Sequence, residues 1–331
     1  MPGQLVVEAE AVATVTDLMD RTASGPTAAD STAPELDRGA DFAPVPARSI
    51  PTRRISFESR LRNVRKYFAA DDDLLNSHLA VALSSVFPDG EDFFVRSVRH
   101  YRSRITDPEL RKQVAGFIGQ EATHGREHRV FNDRLAELGY PTKENEWITR
   151  KDLELRSRIA PASSNLAATA ALEHFTATMA EVLLTDGTLH ELFGDDAVRD
   201  LFLWHALEEC EHKAVAFDVY KAIGGGERMR VWTMVGLRYG FVVGMAVSMA
   251  LAVAGDRNAY EKGRLRASWK RFKRNPLLQR SVWQRLKDYD RPDFHPDDHD
   301  TDALVAEWRE RLFGDSGELN DQLASRPAER V

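Results

Sequence analysis

Glu121-Ala122-Thr123-His124 and Glu209-Cys210-Glu211-His212 each set a carboxylate and an imidazole one helical turn apart on one side of a helix. Both pairs stand where a helix ought to be apolar. Leu110, Val114, Phe117, Glu121, His124, His128, Phe131, Leu135 and Leu138 recur by threes and fours, an inward stripe whose middle is acid and imidazole. Val198, Leu201, His205, Glu208/Glu209, His212, Val215, Val219 and Ala222 repeat the pattern. A carboxylate in an apolar core costs several kcal/mol (roughly) unless something pairs with it. Two Glu-x-x-His pairs converging in one core make half of a dinuclear metal site, and a further Glu from each of two other helices completes it. Glu91, on a face with Phe94, Val98 and Tyr101, and Glu173, in line with Leu166, Ala170, Ala177 and Ala180, are the residues expected there. Four carboxylates balance two divalent ions.

Such a site needs helices to carry it. They are expected over 72–86, 88–104, 108–138, 143–159, 164–186 and 194–223, with Pro88 in a first turn and Asp107-Pro108, Gly139-Tyr140-Pro141 and Ala160-Pro161 as punctuation. No stretch alternates with period two over a useful length. The expected fold is therefore all-α, a four-helix bundle over 51–224 with extra C-terminal helices over 225–331. Residues 1–50, rich in Ala, Pro, Ser, Thr and Asp, read as a disordered tail. They lack the basic start and apolar run of a signal peptide, so a cytoplasmic location is expected.

The net charge of −7 over 331 residues gives no reason to expect nucleic acid. The single cysteine, Cys210, excludes an intrachain disulfide and lies on a different helical face from Glu209 and His212, so it reads as packing. Residues 231–254 are apolar apart from Arg238, Tyr239 and a few small polar side chains, with Gly236, Gly240, Gly244 and Ser248 at every fourth position. A single membrane crossing would separate the bundle from the basic run of Arg257, Lys262, Arg264, Arg266, Lys270 and Arg271, although both belong on the cytoplasmic side. The preferred reading is a helix buried against the bundle or against a second subunit, which makes a homodimer plausible. The alternative is peripheral membrane association through 231–274, with the basic run on anionic lipid. Arg291-Pro292-Asp293-Phe294-His295-Pro296 reads as a docking loop anchored by Phe294, in preference to a metal site at His295 and His299. A last helix is expected near 301–313, followed by a frayed end.

Four stretches carry a resemblance. Phe117-Ile118-x-Gln120-Glu121-Ala122-x-His124-Gly125-x-Glu127-His128, Ala171-Leu172-Glu173-His174-Phe175-Thr176-Ala177, Trp204-His205-Ala206-x-Glu208-Glu209-x-Glu211-His212-Lys213-Ala214-Val215-Ala216-Phe217-Asp218 and Arg291-Pro292-x-Phe294-His295-Pro296 resemble the bacterial predicted metal-dependent hydrolase family over about 55–313. The Glu, Glu-x-x-His, Glu, Glu-x-x-His order is also similar to ferritin-like di-iron carboxylate proteins. His205-x-x-x-Glu209-x-x-His212 resembles the p-aminobenzoate N-oxygenase type, in which a third histidine one turn before the Glu-x-x-His adds a seventh ligand. That likeness implies Glu91, Glu121, His124, Glu173, Glu209 and His212 as the common ligands and His205 as the extra one. Glu208 stands beside Glu209, and the three-residue spacing to His212 favours Glu209. His128 and His174 are expected behind the ligands, with a ligand role for His128 and an interface role for His174 left open.

Oxygen donors outnumber imidazoles and no thiolate helps, which suits two iron ions, or manganese, better than a structural zinc. Such a pair can deliver electrons to O2 or lower the pKa of a water for hydrolysis. The oxidative reading, O2 activation against a small organic substrate, with an apolar one as an option, is preferred; metal-dependent hydrolysis and metal storage or sensing are the alternatives.

Overall fold

A computed structural model describes residues 45–324, which belong to one compact unit. Most of the expected tail, and the last residues of the expected frayed end, lie outside them. The described chain is helical nearly throughout, and β structure among these residues is limited to isolated bridges at Ile55–Leu323 and Ala69–Phe193. The all-α expectation holds.

A single turn, α1 (Glu58–Leu61), precedes α2 (Leu74–His100), which is capped by the Asp73 carboxylate accepting from Asn76 N at 3.0 Å. Expected as two helices meeting at Pro88, this segment is one, with Pro88 in its interior. A proline there leaves the carbonyl four residues back without its donor. That carbonyl is Ser84 O, and Asn132 Nδ2 supplies the bond instead at 3.0 Å. Arg129 Nη2 then takes Pro88 O at 3.1 Å, so the neighbouring helix repairs the break.

The neighbour is α3 (Pro108–Glu137), with Asp107 capping Leu110 N at 2.8 Å and Pro108 at its start. Then come α4 (Thr142–Ile159), α5 (Ala162–Thr185), the short α6 (Gly187–Glu191) and α7 (Asp196–His212). The helix expected over 194–223 is interrupted after His212, and α8 (Val215–Ala222) resumes beyond Lys213, whose ammonium is held by Thr301 Oγ1 at 2.9 Å and by the His299 carbonyl. Helices α2, α3, α7 and α5 close a ring: α2 packs on α3, α3 on α7, α7 on α5 and α5 on α2.

Beyond Gly226 lie α9 (Glu227–Gly255), α10 (Arg264–Phe272), α11 (Arg280–Asp288) and α12 (Asp302–Phe313). Helix α9 lies along α5 and α2, fastened by Arg230 to Tyr289 O and Arg291 O and by Arg238 to Asp290 at 2.7 Å. The expected burial of α9 within the chain is not found. Only Arg230, Met234 and Arg238 are buried, and a Cβ on Gly236, Gly240 or Gly244 would meet nothing within 4 Å. Among the described residues, these glycines therefore do not serve a close helix approach. Helix α9 is long and apolar enough to cross a membrane by length and composition alone.

Residues 45–50, assigned to the tail from sequence, pack on the body. Val45 is buried in the main core, and Ile50 packs against it. The extended chain from 45 to 57 runs against α3, where Gly116 and Gly119 have no side chain. A Cβ on Gly116 would run into Ile50, and one on Gly119 into Thr52. This close approach delivers Arg53 to the interior, where it is buried.

Candidate metal centre

The ring of helices brings all seven expected residues together. Glu91 comes from α2, Glu121 and His124 from α3, Glu173 from α5, and His205, Glu209 and His212 from α7; every one is buried. Candidate ligand atoms gather in two groups, Glu91 with His124 and His205, and Glu121 with Glu173 and His212, while a third overlapping group joins Glu121, His124 and Glu209. Glu121 and Glu209 stand between the two sides. Glu209 turns Oε1 to His205 Nε2 at 2.8 Å and His124 Nδ1 at 3.6 Å, and Oε2 to His212 Nε2 at 3.6 Å. Glu121 does the same, with Oε1 at 3.1 Å from His212 Nε2 and Oε2 at 4.0 Å from His124 Nδ1. Glu173 Oε2 lies 3.5 Å from His212 Nε2, and Glu91 Oε1 lies 3.6 Å from His205 Nε2.

These inward atoms lack ordinary partners. Both oxygens of Glu91, Glu121 and Glu173, Glu209 Oε2, His124 Nδ1 and His212 Nε2 are buried without a hydrogen bond. The His212–Glu121 approach of 3.1 Å is close, yet its angles do not make a hydrogen bond. Buried polar groups are normally satisfied, so such a concentration calls for something else to bind them. Burial, reinforced by neighbouring carboxylates, pushes the Glu91 and Glu173 carboxyls well above their ordinary values. Burial would also raise Glu209, but the imidazoles of His212 and His205 outweigh it and hold Glu209 well below. Burial lowers His124 and His128, whereas at His212 the neighbouring carboxylates overcome burial and raise it. The donor set is oxygen-rich and imidazole-backed with no thiolate in it, and it fits divalent metal ions.

The imidazoles are aimed from behind. His124 Nε2 lies 3.0 Å from Glu208 Oε2, His205 Nδ1 lies 2.7 Å from His128 Nε2, and His212 Nδ1 lies 2.9 Å from Gln120 Oε1. Each bond engages the outward nitrogen, which fixes ring orientation and turns the other nitrogen to the carboxylates: those of His124 and His212 have no hydrogen bond, and that of His205 meets Glu209. Arg53 binds Glu208 and Glu211 at 2.7 to 2.8 Å, and Glu211 Oε2 accepts from Gln120 Nε2 at 2.6 Å. Arg309 of α12 reaches Glu211 Oε1 at 2.8 Å. Burial drives the Glu208 carboxyl up to about 8 against the pull of Arg53. Of the two adjacent acids, Glu209 points into the cluster and Glu208 away from it, toward His124 Nε2 and Arg53. His128 sits behind His205, its other nitrogen 2.9 Å from Ser84 Oγ. His174 faces the C-terminal helices and meets Arg285 O at 2.9 Å. Cys210 is buried among apolar side chains.

Arg53, Gln120, Glu211 and Arg309 were not assigned roles from sequence. The available signal was the number of acids on α7: Glu208 and Glu211 could not both be buried without a cation. His295 and His299 form no joint site. His295 Nε2 contacts Asp218 at 2.8 Å, His299 Nδ1 meets Arg285, and Phe294 is buried in the core as its expected anchoring role requires.

Phe87 packs its ring 4.8 Å from His205, Phe117 lies 5.0 Å from His212 and Trp204 lies 5.0 Å from His124, walling the cluster with aromatic surface. A cavity of about 1100 Å³ between α4 and α9 reaches Glu91 and Glu209, past Phe94, Phe175, Met179 and Phe241. A smaller one of about 100 Å³ meets His205 and Glu209 from the side of Leu83, Ala180 and Phe202.

An all-α fold carrying a buried cluster of glutamates and histidines suited to metal ions defines the class of protein. The chain belongs to the predicted metal-dependent hydrolase family, whose sequence pattern matches residues 51–300. Comparison with curated proteins and with solved structures gives no match.

Proposed function

We propose that the chain is a dinuclear metalloenzyme of ferritin-like arrangement. In this reading Glu91, His124 and His205 would hold one ion and Glu173 and His212 the other, with Glu121 and Glu209 placed between them. The observation that carries it is the concentration of buried, unpartnered oxygen and nitrogen atoms on four neighbouring helices. Two such ions would lower the pKa of a water toward neutrality or, as iron, supply electrons to O2.

The family's description favours hydrolysis, the alternative in the sequence reading, over oxidation. The chain's residues serve hydrolysis in three ways. Glu208, His128 and Gln120 hold the imidazoles in place, so that little reorganisation accompanies the reaction. Phe87, Phe117 and Trp204 pack against the rings of His205, His212 and His124 and shield that side of the cluster from water. The larger cavity admits an apolar-bodied substrate and brings its reacting bond to the Glu91–Glu209 side. A specific observation favours the second reading, oxidation of an organic substrate by O2. The third imidazole, His205, is set where the N-oxygenase resemblance places an extra ligand, with its Nε2 turned to Glu91 and Glu209.

Metal analysis of purified protein tests the common ground. Two equivalents of iron or manganese per chain are expected, with loss of most of it in Glu121→Ala. Folded protein without metal, and unchanged in thermal midpoint when either ion is added, overturns the proposal. Many iron atoms per chain would instead indicate storage. Turnover of an ester or phosphoester panel without reductant supports hydrolysis. A transient visible absorption band after anaerobic reduction and mixing with O2 supports oxidation.

A further inference from the structure

The larger cavity opens on a surface that is unusual for a water-facing one. Ile148 of α4 and Val247 and Leu251 of α9 both line it and are largely exposed, at 57, 53 and 68 %. Elsewhere along the same two helices α4 exposes Trp147, Leu155 and Ile159, and α9 exposes Trp232, Tyr239 and Val243. So many large apolar side chains exposed on two neighbouring helices mark a contact site. What it contacts is indicated by charge. Residues 257–280, which follow α9 directly, carry nine Lys and Arg against one acid, Glu261, in a chain whose net charge is −7. Arg257, Lys262, Arg266, Lys270, Lys273, Arg274 and Arg280 are exposed and make no ion pair with the described residues. Arg266 and Lys270 of α10 form one stripe with Lys273 at the helix end, beside a second of Leu265 and Trp269, the latter 52 % exposed. Apolar and basic stripes side by side suit the interface of an anionic bilayer.

The geometry points to an anionic lipid surface as the occupant of this face, with the cavity drawing a single-chain lipid amphiphile from it, chain first, toward Glu91 and Glu209. A second copy of this chain would offer a matching apolar face but the same positive charge, whereas a bilayer supplies apolar interior and negative surface together. Helix α9 takes part from the side, because Arg230 and Arg238 bind its inner face to the residues around α11. The substrate class assigned here rests on the proposed reactivity of the cluster; the docking does not.

Vesicle co-sedimentation of the full chain tests docking, with phosphatidylcholine alone against phosphatidylcholine containing phosphatidylglycerol. Binding is expected only with the anionic lipid, weakening as salt is raised. In Arg266→Glu/Lys270→Glu it should fall by at least about tenfold. Trp232→Ser, at a site 74 % exposed, should bind more weakly at every salt concentration while keeping the wild-type thermal midpoint. No binding to anionic vesicles by wild-type protein overturns the proposal. So does a stable dimer in solution that Trp232→Ser or Val243→Ser dissociates. Uptake of cis-parinaric acid, read by its fluorescence, tests the cavity. Gly244→Leu should reduce uptake by about tenfold with vesicle binding unchanged, since a leucine carries several buried methylene equivalents into the space. Unchanged uptake overturns the lipid assignment. Both readouts are repeated on Glu121→Ala: if the metal reading fails, docking and uptake remain, and if docking fails, the metal content remains.

Discussion

His124 presents Nδ1 to the carboxylate cluster because its Nε2 lies 3.0 Å from Glu208 Oε2, and Glu208 is itself held by Arg53 at 2.7 Å. The chain of contacts begins outside the helical ring, in the extended segment at 45–57. That segment thereby controls a ring orientation deep inside.

Glu208→Ala should leave His124 free to rotate and lower metal affinity by about 10–100-fold, the usual cost of losing a partner behind a ligand. Competition against a chromophoric chelator measures it. An affinity within a factor of about two of wild type would show that Glu208 does not orient the ring.

Arg53→Met should do more harm to stability than to shape. It strips the cation from Glu208 and weakens the support of Glu211, both buried. Breaking a buried pair by removing one member costs about 3–5 kcal/mol. Arg309, still at 2.8 Å from Glu211, should keep the loss toward the lower end. Urea denaturation gives the value, and a loss below about 1 kcal/mol would place Arg53 among surface pairs.

Gly119→Ala sets two effects against each other. Alanine is favoured over glycine in a helix by about 1 kcal/mol, but overpacking costs about 1–3 kcal/mol. The added Cβ would meet Thr52, so steric cost should win and the variant should lose up to about 2 kcal/mol. A stabilised variant in the same denaturation assay would mean that the 45–57 segment yields easily.

Asp256 gives a pH dependence with a definite sign. Burial pushes its carboxyl up, but bonds from Tyr67, Lys66 and His78 prevail and leave it below its ordinary value. A carboxyl with a lower pKa folded than unfolded contributes stability that is fully present above the unfolded value of about 3.9 and is lost as pH falls through the folded one. The denaturation midpoint of wild type should therefore drop more steeply below about pH 4 than that of Asp256→Asn. Parallel profiles would contradict this.

Helical phase is a local property, and so the sequence alone carried the all-α class, the register of both Glu-x-x-His pairs, and the inward positions of Glu91 and Glu173. It marked Asp107-Pro108 as a helix start for the same reason. Pro88 misled because the bond that rescues its helix comes from Asn132, forty-four residues away, and nothing local announces such a donor. Glycines at every fourth position of α9 look the same whether they meet a helix or open space. Only tertiary packing decided that they line and flank a cavity, that Glu209 turns inward while Glu208 turns to Arg53, and that residues 45–50 lie against α3. In each case the deciding energy is a contact between segments distant along the chain, which no periodicity within either one records.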